Sequence, residues 1–225
     1  MYPIFEKFSD YVSDIQKGKL YCNNLNYFKN LANNNNGIAD KNEGIITITD
    51  KIKTKYKLYI TNTTIEVDEN SNFLFCVYTN NAAQAISKQI TYIHNDYEYI
   101  KLKNLNYDKV IAIYNTDKFI SKILSNCQIH NIKCIHGYVK YLDIHNISNK
   151  IKKDLNMAPY LSAFIKDQRY SWQNEYRFLF YNLPSEMIDK NHFILDINDI
   201  TNISKICRLE DFSFINFLGK KNLLQ

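Results

Sequence analysis

The segment FLFCVYT, residues 73–79, limits the folds open to this chain more than any other stretch. Its seven residues carry no charge and are mostly aromatic or β-branched. Such a short, dense apolar run reads as a central strand buried on both faces. Other segments supply its neighbours. Residues 45–67 alternate apolar and polar side chains (IITITD, YKLYI, TTIEV), which predicts antiparallel strands joined by tight turns. KLYC, KVIAIYN, CIHGYVKYLDI, EYRFLFY and HFILDI read as further strands.

The predicted helices lie between them. Ile4, Phe5, Phe8, Tyr11, Val12 and Ile15 recur at helical spacing, and Gly18 follows where a C-terminal cap belongs, so the chain is predicted to open with a helix. Asn24 is placed to cap a short helix carrying Leu25, Phe28 and Leu31. NAAQAISKQI reads as a helix. TDKFISKILSN reads as another, starting at Asn115 or Thr116, with Phe119, Ile120, Ile123 and Leu124 on one face. NKIKKDL is a short helix, and DITNISKICRL closes as a helix or turn. No internal repeat or linker divides the chain. The fold expected is one α+β domain over residues 1–225, with a mainly antiparallel sheet, continuous or split, and peripheral helices.

Composition narrows the function. A length of 225 residues with 45% hydrophobic and 23% charged side chains suits a globular domain with a sizeable core. The 18 Tyr and 13 Phe, against one Trp, match the amino-acid bias of an AT-rich genome, so a lone tyrosine carries little functional weight. The net charge of +5 is spread out, with only short clusters such as Lys51, Lys53, Lys55 and Lys57; a dedicated DNA-binding module would concentrate it. No apolar run approaches the roughly 20 residues of a membrane span, and MYPIFEKFSDY lacks a secretory pattern, so a soluble, cytoplasmic protein is expected. The five cysteines, at 22, 76, 127, 134 and 207, have no framework spacing and suit reduced thiols.

Several constellations carry chemistry. Asp40 and Glu43, in the Gly-bounded tract NNNNGIADKNEG, could bind a cation or act as acid and base, though such a loop is more simply solvent-facing. Cys127, His130, Cys134 and His136 offer four zinc-type ligands, but lack the long insert between ligand pairs of a zinc module, so no metal site is assigned. Cys76, between Phe75 and Val77, reads as a packed, inert thiol. None of the five glycines forms a phosphate loop.

The sharpest lead is SWQNEYRFLFY, residues 171–181, which puts Gln173 and Glu175 two apart at the start of a strand. A carboxylate on a rigid strand stabilises positive charge developing at a ribose carbon. The structural alternative is a Glu solvated at a sheet edge, or one paired with Arg177 or Arg169. Gln173-x-Glu175 leading into YRFLF, preceded by the loop DQRYSW, resembles the Q-x-E motif and toe-turn loop of the ADP-ribosyltransferase superfamily. The resemblance implies NAD as substrate and Glu175 as the catalytic carboxylate on the nicotinamide ribose. It implies that Gln173 helps select the acceptor, and that Tyr170 or Trp172 recognises it. Tyr78 and Thr79 match the family's middle-strand position loosely. KGKLYCNNL holds no Arg or His for the early-strand position, which leaves Lys19 or Tyr21 to substitute, with Tyr21 beside Tyr78 in the nicotinamide pocket.

The whole-chain layout is also similar to a set of bacterial and phage proteins. The matching positions are Gly18, Leu20, Tyr21, Asn23, Leu25, Tyr27 and Phe28, then Asp40, Glu43 and Gly44, a Cys-bearing central strand and the final Q-x-E-Y-R. That likeness implies a shared fold and a phage-conflict or toxin setting. Two functions are therefore carried forward. One is an ADP-ribosyltransferase-like enzyme with a protein or nucleic-acid acceptor. The other is a non-catalytic inhibitor or defence component that binds a protein through an aromatic-rich surface.

Overall fold

The computed structural model describes residues 4–32, 44–53, 58–66, 68–80, 84–86, 89–91, 107–144 and 146–208. It begins with strand β1 (Ile4–Phe8), the short helix α1 (Val12–Gln16) and strand β2 (Lys19–Asn24). Helix α2 (Leu25–Ala32), strands β3 (Ile45–Lys53), β4 (Leu58–Glu66) and β5 (Phe73–Asn80), and two three-residue strands, β6 (Gln84–Ile86) and β7 (Gln89–Thr91), follow. Next come β8 (Lys109–Ile113), α3 (Thr116–Ile129), β9 (Lys133–Tyr138), β10 (Lys140–Leu142) and α4 (Asn149–Met157). The described chain ends with β11 (Ile165–Asp167), β12 (Glu175–Tyr181), β13 (His192–Asp196) and β14 (Ser204–Arg208). A 3-10 helix, Gln168–Gln173, links β11 to β12.

This is an α+β fold built on an eight-stranded antiparallel sheet, and β5 is its hub. One edge of β5 pairs with β12 from Phe73 to Tyr78, and β9 adds on beyond β12. The other edge is shared. β2 pairs only with Phe73 and Leu74, and β1 only with Tyr78, Thr79 and Asn80. Phe75, Cys76 and Val77 pair with neither. The sheet therefore forks: β2 leads to β13, while β1 leads to β8 and β14. Helix α1 connects the two prongs in sequence.

Apolar burial on both faces holds the sheet in place. On one face Phe5, Val12, Phe75, Phe119, Ile123 and Phe178 belong to a single cluster that includes α1 and α3. Each such side chain contributes about 1.5–3 kcal/mol by leaving water. Asn115 caps α3, its side chain accepting from the Lys118 N–H at 3.1 Å. Phe119, Ile123 and Cys127, spaced four apart, form the buried stripe of that helix. Asn24 caps α2, accepting from the Tyr27 N–H at 2.9 Å. On the opposite face Leu25, Leu74, Ala163, Phe164 and Leu179 form a second cluster. The β3–β4 hairpin packs through Ile46 and Ile65 against Leu155 of α4 and Ile165 of β11. Among the described residues no helix is long and apolar enough to cross a membrane.

Three sequence expectations change. The opening segment is a strand followed by a short helix. Ile4, Phe5 and Phe8 are all buried because both faces of β1 are covered, so the period-two signal is lost and the spacing imitates a helix. Within NAAQAISKQI, Gln84–Ile86 and Gln89–Thr91 pair as antiparallel strands rather than forming a helix. The closing segment forms only one 3-10 turn, Thr201–Ile203, before β14 pairs with β8 and extends the sheet. Asp40 and Glu43 lie outside the described residues.

Candidate functional site

The fork in the sheet opens a cavity of about 470 Å³. Thr79 turns its N–H towards β12, donating to the Asn174 carbonyl at 2.8 Å. Alternation along β5 then directs the backbone groups of Cys76 into the fork. There the Cys76 carbonyl accepts a hydrogen bond from Lys7 Nζ at 2.8 Å. The Lys7 ammonium also lies 5.3 Å from the centre of the Phe75 ring. Burial lowers the Lys7 pKa from the ordinary lysine value. Tyr21, Tyr27, Tyr78 and Tyr107 supply aromatic wall to the cavity.

Glu175, Arg177 and Lys166 also line it. Glu175 opens β12, an internal strand with β5 on one edge and β9 on the other, and the residue is 7% exposed. Its Oε1 accepts from Lys166 Nζ at 2.7 Å, and its Oε2 from Arg177 Nε at 2.7 Å and Nη2 at 2.6 Å. Arg177 Nη1 donates to the Ala163 carbonyl at 2.5 Å. Burial alone would raise the Glu175 pKa, but the charges of Arg177 and Lys166 and their hydrogen bonds outweigh it and hold the carboxyl well below its usual range. Glu175 is therefore held as a carboxylate inside a cluster with two cations, Lys166 and Arg177.

Local structure fixes this geometry. β10 and β11 pair in parallel with Tyr141 opposite Lys166. From that small platform Lys166 reaches the Glu175 carboxylate, and the Tyr141 hydroxyl accepts the Glu175 N–H at 2.9 Å. Gln173 ends the 3-10 helix, fully buried, and its Oε1 accepts from Lys166 Nζ at 2.7 Å. Asn174, at φ 41°, makes the left-handed step from that helix into β12. Gln173 and Glu175 thus converge on one ammonium. Gln173 is not part of the cavity wall and acts through Lys166.

The remaining expected site residues fall at different depths. Tyr78 faces the cavity opposite Glu175 in register, and its pKa is raised first by burial and then by the Glu175 charge. Tyr21 is 37% exposed at the mouth, tilted against Tyr11 and stacked on His192 with centroids 6.2 Å apart. Thr79 lies outside the cavity wall, and its Oγ1 donates to the Asn174 carbonyl at 2.7 Å, so it clamps the turn before Glu175. Trp172 is half-buried and stacks on Tyr78 at 6.5 Å. Tyr170 lies under Lys166 Nζ at 5.1 Å. Both loop aromatics are therefore packed on the ion-pair cluster or the cavity wall.

Comparison with family models, curated proteins and solved structures returns no match for this chain. The site's meaning therefore rests on its own geometry.

Other constellations resolve differently. Among the described residues no three His, Cys, Asp or Glu side chains are grouped to hold a metal. His136 Nδ1 is instead 2.5 Å from the Tyr176 hydroxyl. Cys76 is half-buried on the cavity wall, so it is not the packed core thiol that its apolar neighbours suggested. Of the two structural alternatives for Glu175, pairing with Arg177 is the one the structure shows. Sequence reading missed Lys166, Tyr141 and Lys7. Lys166 sits in an unpatterned segment. Lys7 was hidden by the helical reading of β1.

Proposed function

We propose that this chain is an ADP-ribosyltransferase-like enzyme that takes NAD into the fork cavity and passes ADP-ribose to a macromolecular acceptor, in a toxin or phage-conflict setting. One observation carries the reading: an ionised carboxylate, Glu175, stands on an internal strand at the wall of a cavity large enough for a nucleotide. Buried ion pairs are a costly way to hold a turn, since apolar packing often does as well. Their place at a cavity gives the cost a purpose. Lys7 supplies a cation on the cavity wall for a diphosphate, and the tyrosines supply ring surface. In the reaction the bond between ribose C1′ and nicotinamide breaks, nicotinamide leaves, and the acceptor's nucleophile bonds to C1′ and loses its proton. Glu175 stabilises the positive charge that develops at C1′.

The test incubates labelled NAD and cell extract with wild type, Glu175→Gln and Lys7→Met, following nicotinamide release and label transfer. Thermal melts establish folding. Turnover by the wild type that is lost in folded Glu175→Gln supports the transferase. Unchanged turnover in that variant overturns it.

A second reading rests on an observation of its own: both Glu175 oxygens are already bonded, to Lys166 and to Arg177. A carboxylate satisfied in this way suits a structural clamp inside a non-catalytic binding protein. A stoichiometric complex with a target protein, formed equally by wild type and folded Glu175→Gln without nicotinamide release, favours that reading.

A further inference from the structure

The β2–β13 prong carries rings that the core does not use. Along β2, Leu20 and Cys22 are buried while Tyr21 faces out, and in the register with β13 Ile194 stands opposite Tyr21 and His192 opposite Asn23. Tyr11, just before α1, leans against this face. Its ring centroid lies 5.5 Å from that of Tyr21 with the planes 30° apart, and the Tyr21 and His192 rings are 6.2 Å and 25° apart, so the three form a ladder. Tyr11 is 60% exposed, and none of the three belongs to the main apolar cluster. Contiguous ring surface kept in water in this way serves recognition rather than packing. All three rings line the fork cavity, as does Asn23, whose amide offers a donor and an acceptor to the edge of a base.

The other prong brings a cation to the same cavity. Counting two residues on from the Asn23–Leu74 pair puts Tyr21 level with Cys76, whose carbonyl accepts from Lys7 Nζ at 2.8 Å. Among the described residues no carboxylate forms an ion pair with Lys7. A half-buried ammonium beside a carbonyl and the Phe75 ring, with no counter-charge, calls for an anion. We propose that the fork cavity takes a nucleoside monophosphate, its base stacked on the ladder of Tyr11, Tyr21 and His192 at the mouth and its phosphate on Lys7 inside. Such a ligand joins a planar ring to an anion through one short sugar, and a cavity of about 470 Å³ admits it. A base has a π-face for the tyrosine rings whatever its sequence identity, while a protein surface would meet the ladder without carrying an anion down to Lys7. The inference uses the cavity of the transferase reading and needs neither NAD turnover nor Glu175.

Trp172 is the one tryptophan of the chain and stacks on Tyr78 of the cavity wall, so its fluorescence reports occupancy. The experiment titrates AMP, and ribose phosphate as the control that lacks a base, into wild type, Tyr21→Leu, Tyr21→Phe, Tyr11→Leu and Lys7→Met, with a thermal melt of each to establish folding. Wild type should bind AMP saturably. Tyr21→Leu removes the ring and should weaken AMP roughly 5–100-fold while leaving ribose phosphate unchanged. Tyr21→Phe keeps the ring and should bind AMP as wild type does. Tyr11→Leu repeats the comparison at the more exposed ring, and Lys7→Met should weaken both probes. Wild type that does not bind AMP overturns the proposal, as does AMP affinity untouched by both leucine variants. Equal weakening of the two probes by Tyr21→Leu overturns it as well, as does a loss in Tyr21→Phe as large as in Tyr21→Leu. The two readings of the cavity fail separately: nicotinamide release from NAD without AMP binding removes this inference and keeps the transferase, and AMP binding without release does the reverse.

Discussion

Glu175 stands on a strand with neighbours on both edges, and that setting governs how its charge responds to pH. Its pKa in the fold lies below the ordinary 4.5, so the folded state binds that proton less tightly than the unfolded chain does. The ion pairs therefore contribute their full stability above the ordinary value and lose it progressively as pH falls below about 4.5. Urea denaturation at a series of pH values should show the wild type losing stability through that acid range. Glu175→Gln should be flatter there, and parallel curves for the two proteins would remove the assignment. At neutral pH the same substitution leaves Lys166 and Arg177 buried without their carboxylate, and it is expected to cost about 3 kcal/mol. Lys166 depends on Gln173 as well, so Gln173→Leu should cost about 1–2 kcal/mol in unfolding free energy.

At the scale of elements, the turn from α1 into β2 is as constrained as the site. Gly18 has φ +95°, and a Cβ there would lie 2.3 Å from the Asn198 carbonyl oxygen. Gly18→Ala combines left-handed strain with a backbone clash, so a loss of about 2 kcal/mol or more is expected. For a chain of this size that lowers the melting temperature by roughly 4–8 °C. Gly18 was legible from its position after an apolar helical stripe. α3 and β12 were legible too, because Phe119 and Ile123 lie on one helix face, and EYRFLFY is dense in aromatic residues. β1 was not, because a strand covered on both faces shows no alternation. That one misreading also hid the fork, since the fork exists only if Ile4–Phe8 pairs with β5. In the site, Gln173 and Glu175 were visible as a short-range pattern. Lys166, Tyr141 and Lys7 reach the site through pairing and packing that local sequence does not encode.

For the molecule as a whole, the decisive property is whether the forked sheet behaves as a ligand site. A ligand that binds the folded chain alone stabilises it by mass action, about 2.7 kcal/mol at a hundredfold excess over its dissociation constant. With roughly 2–4 °C for each kcal/mol, NAD should raise the melting temperature by about 5–11 °C. Lys7→Met keeps an apolar side chain and removes the ammonium that lies over Phe75 and bonds the Cys76 carbonyl, so its own melting temperature should fall slightly while its NAD-induced shift is largely lost. The shift and nicotinamide release together separate the two functions. A shift with release matches the transferase, and a shift without release makes the fork a binding site that does not turn over. An unmoved wild-type melt at saturating NAD removes NAD from the cavity, and leaves Glu175, Lys166 and Arg177 as a clamp that holds the Gln168–Gln173 helix to the centre of the sheet.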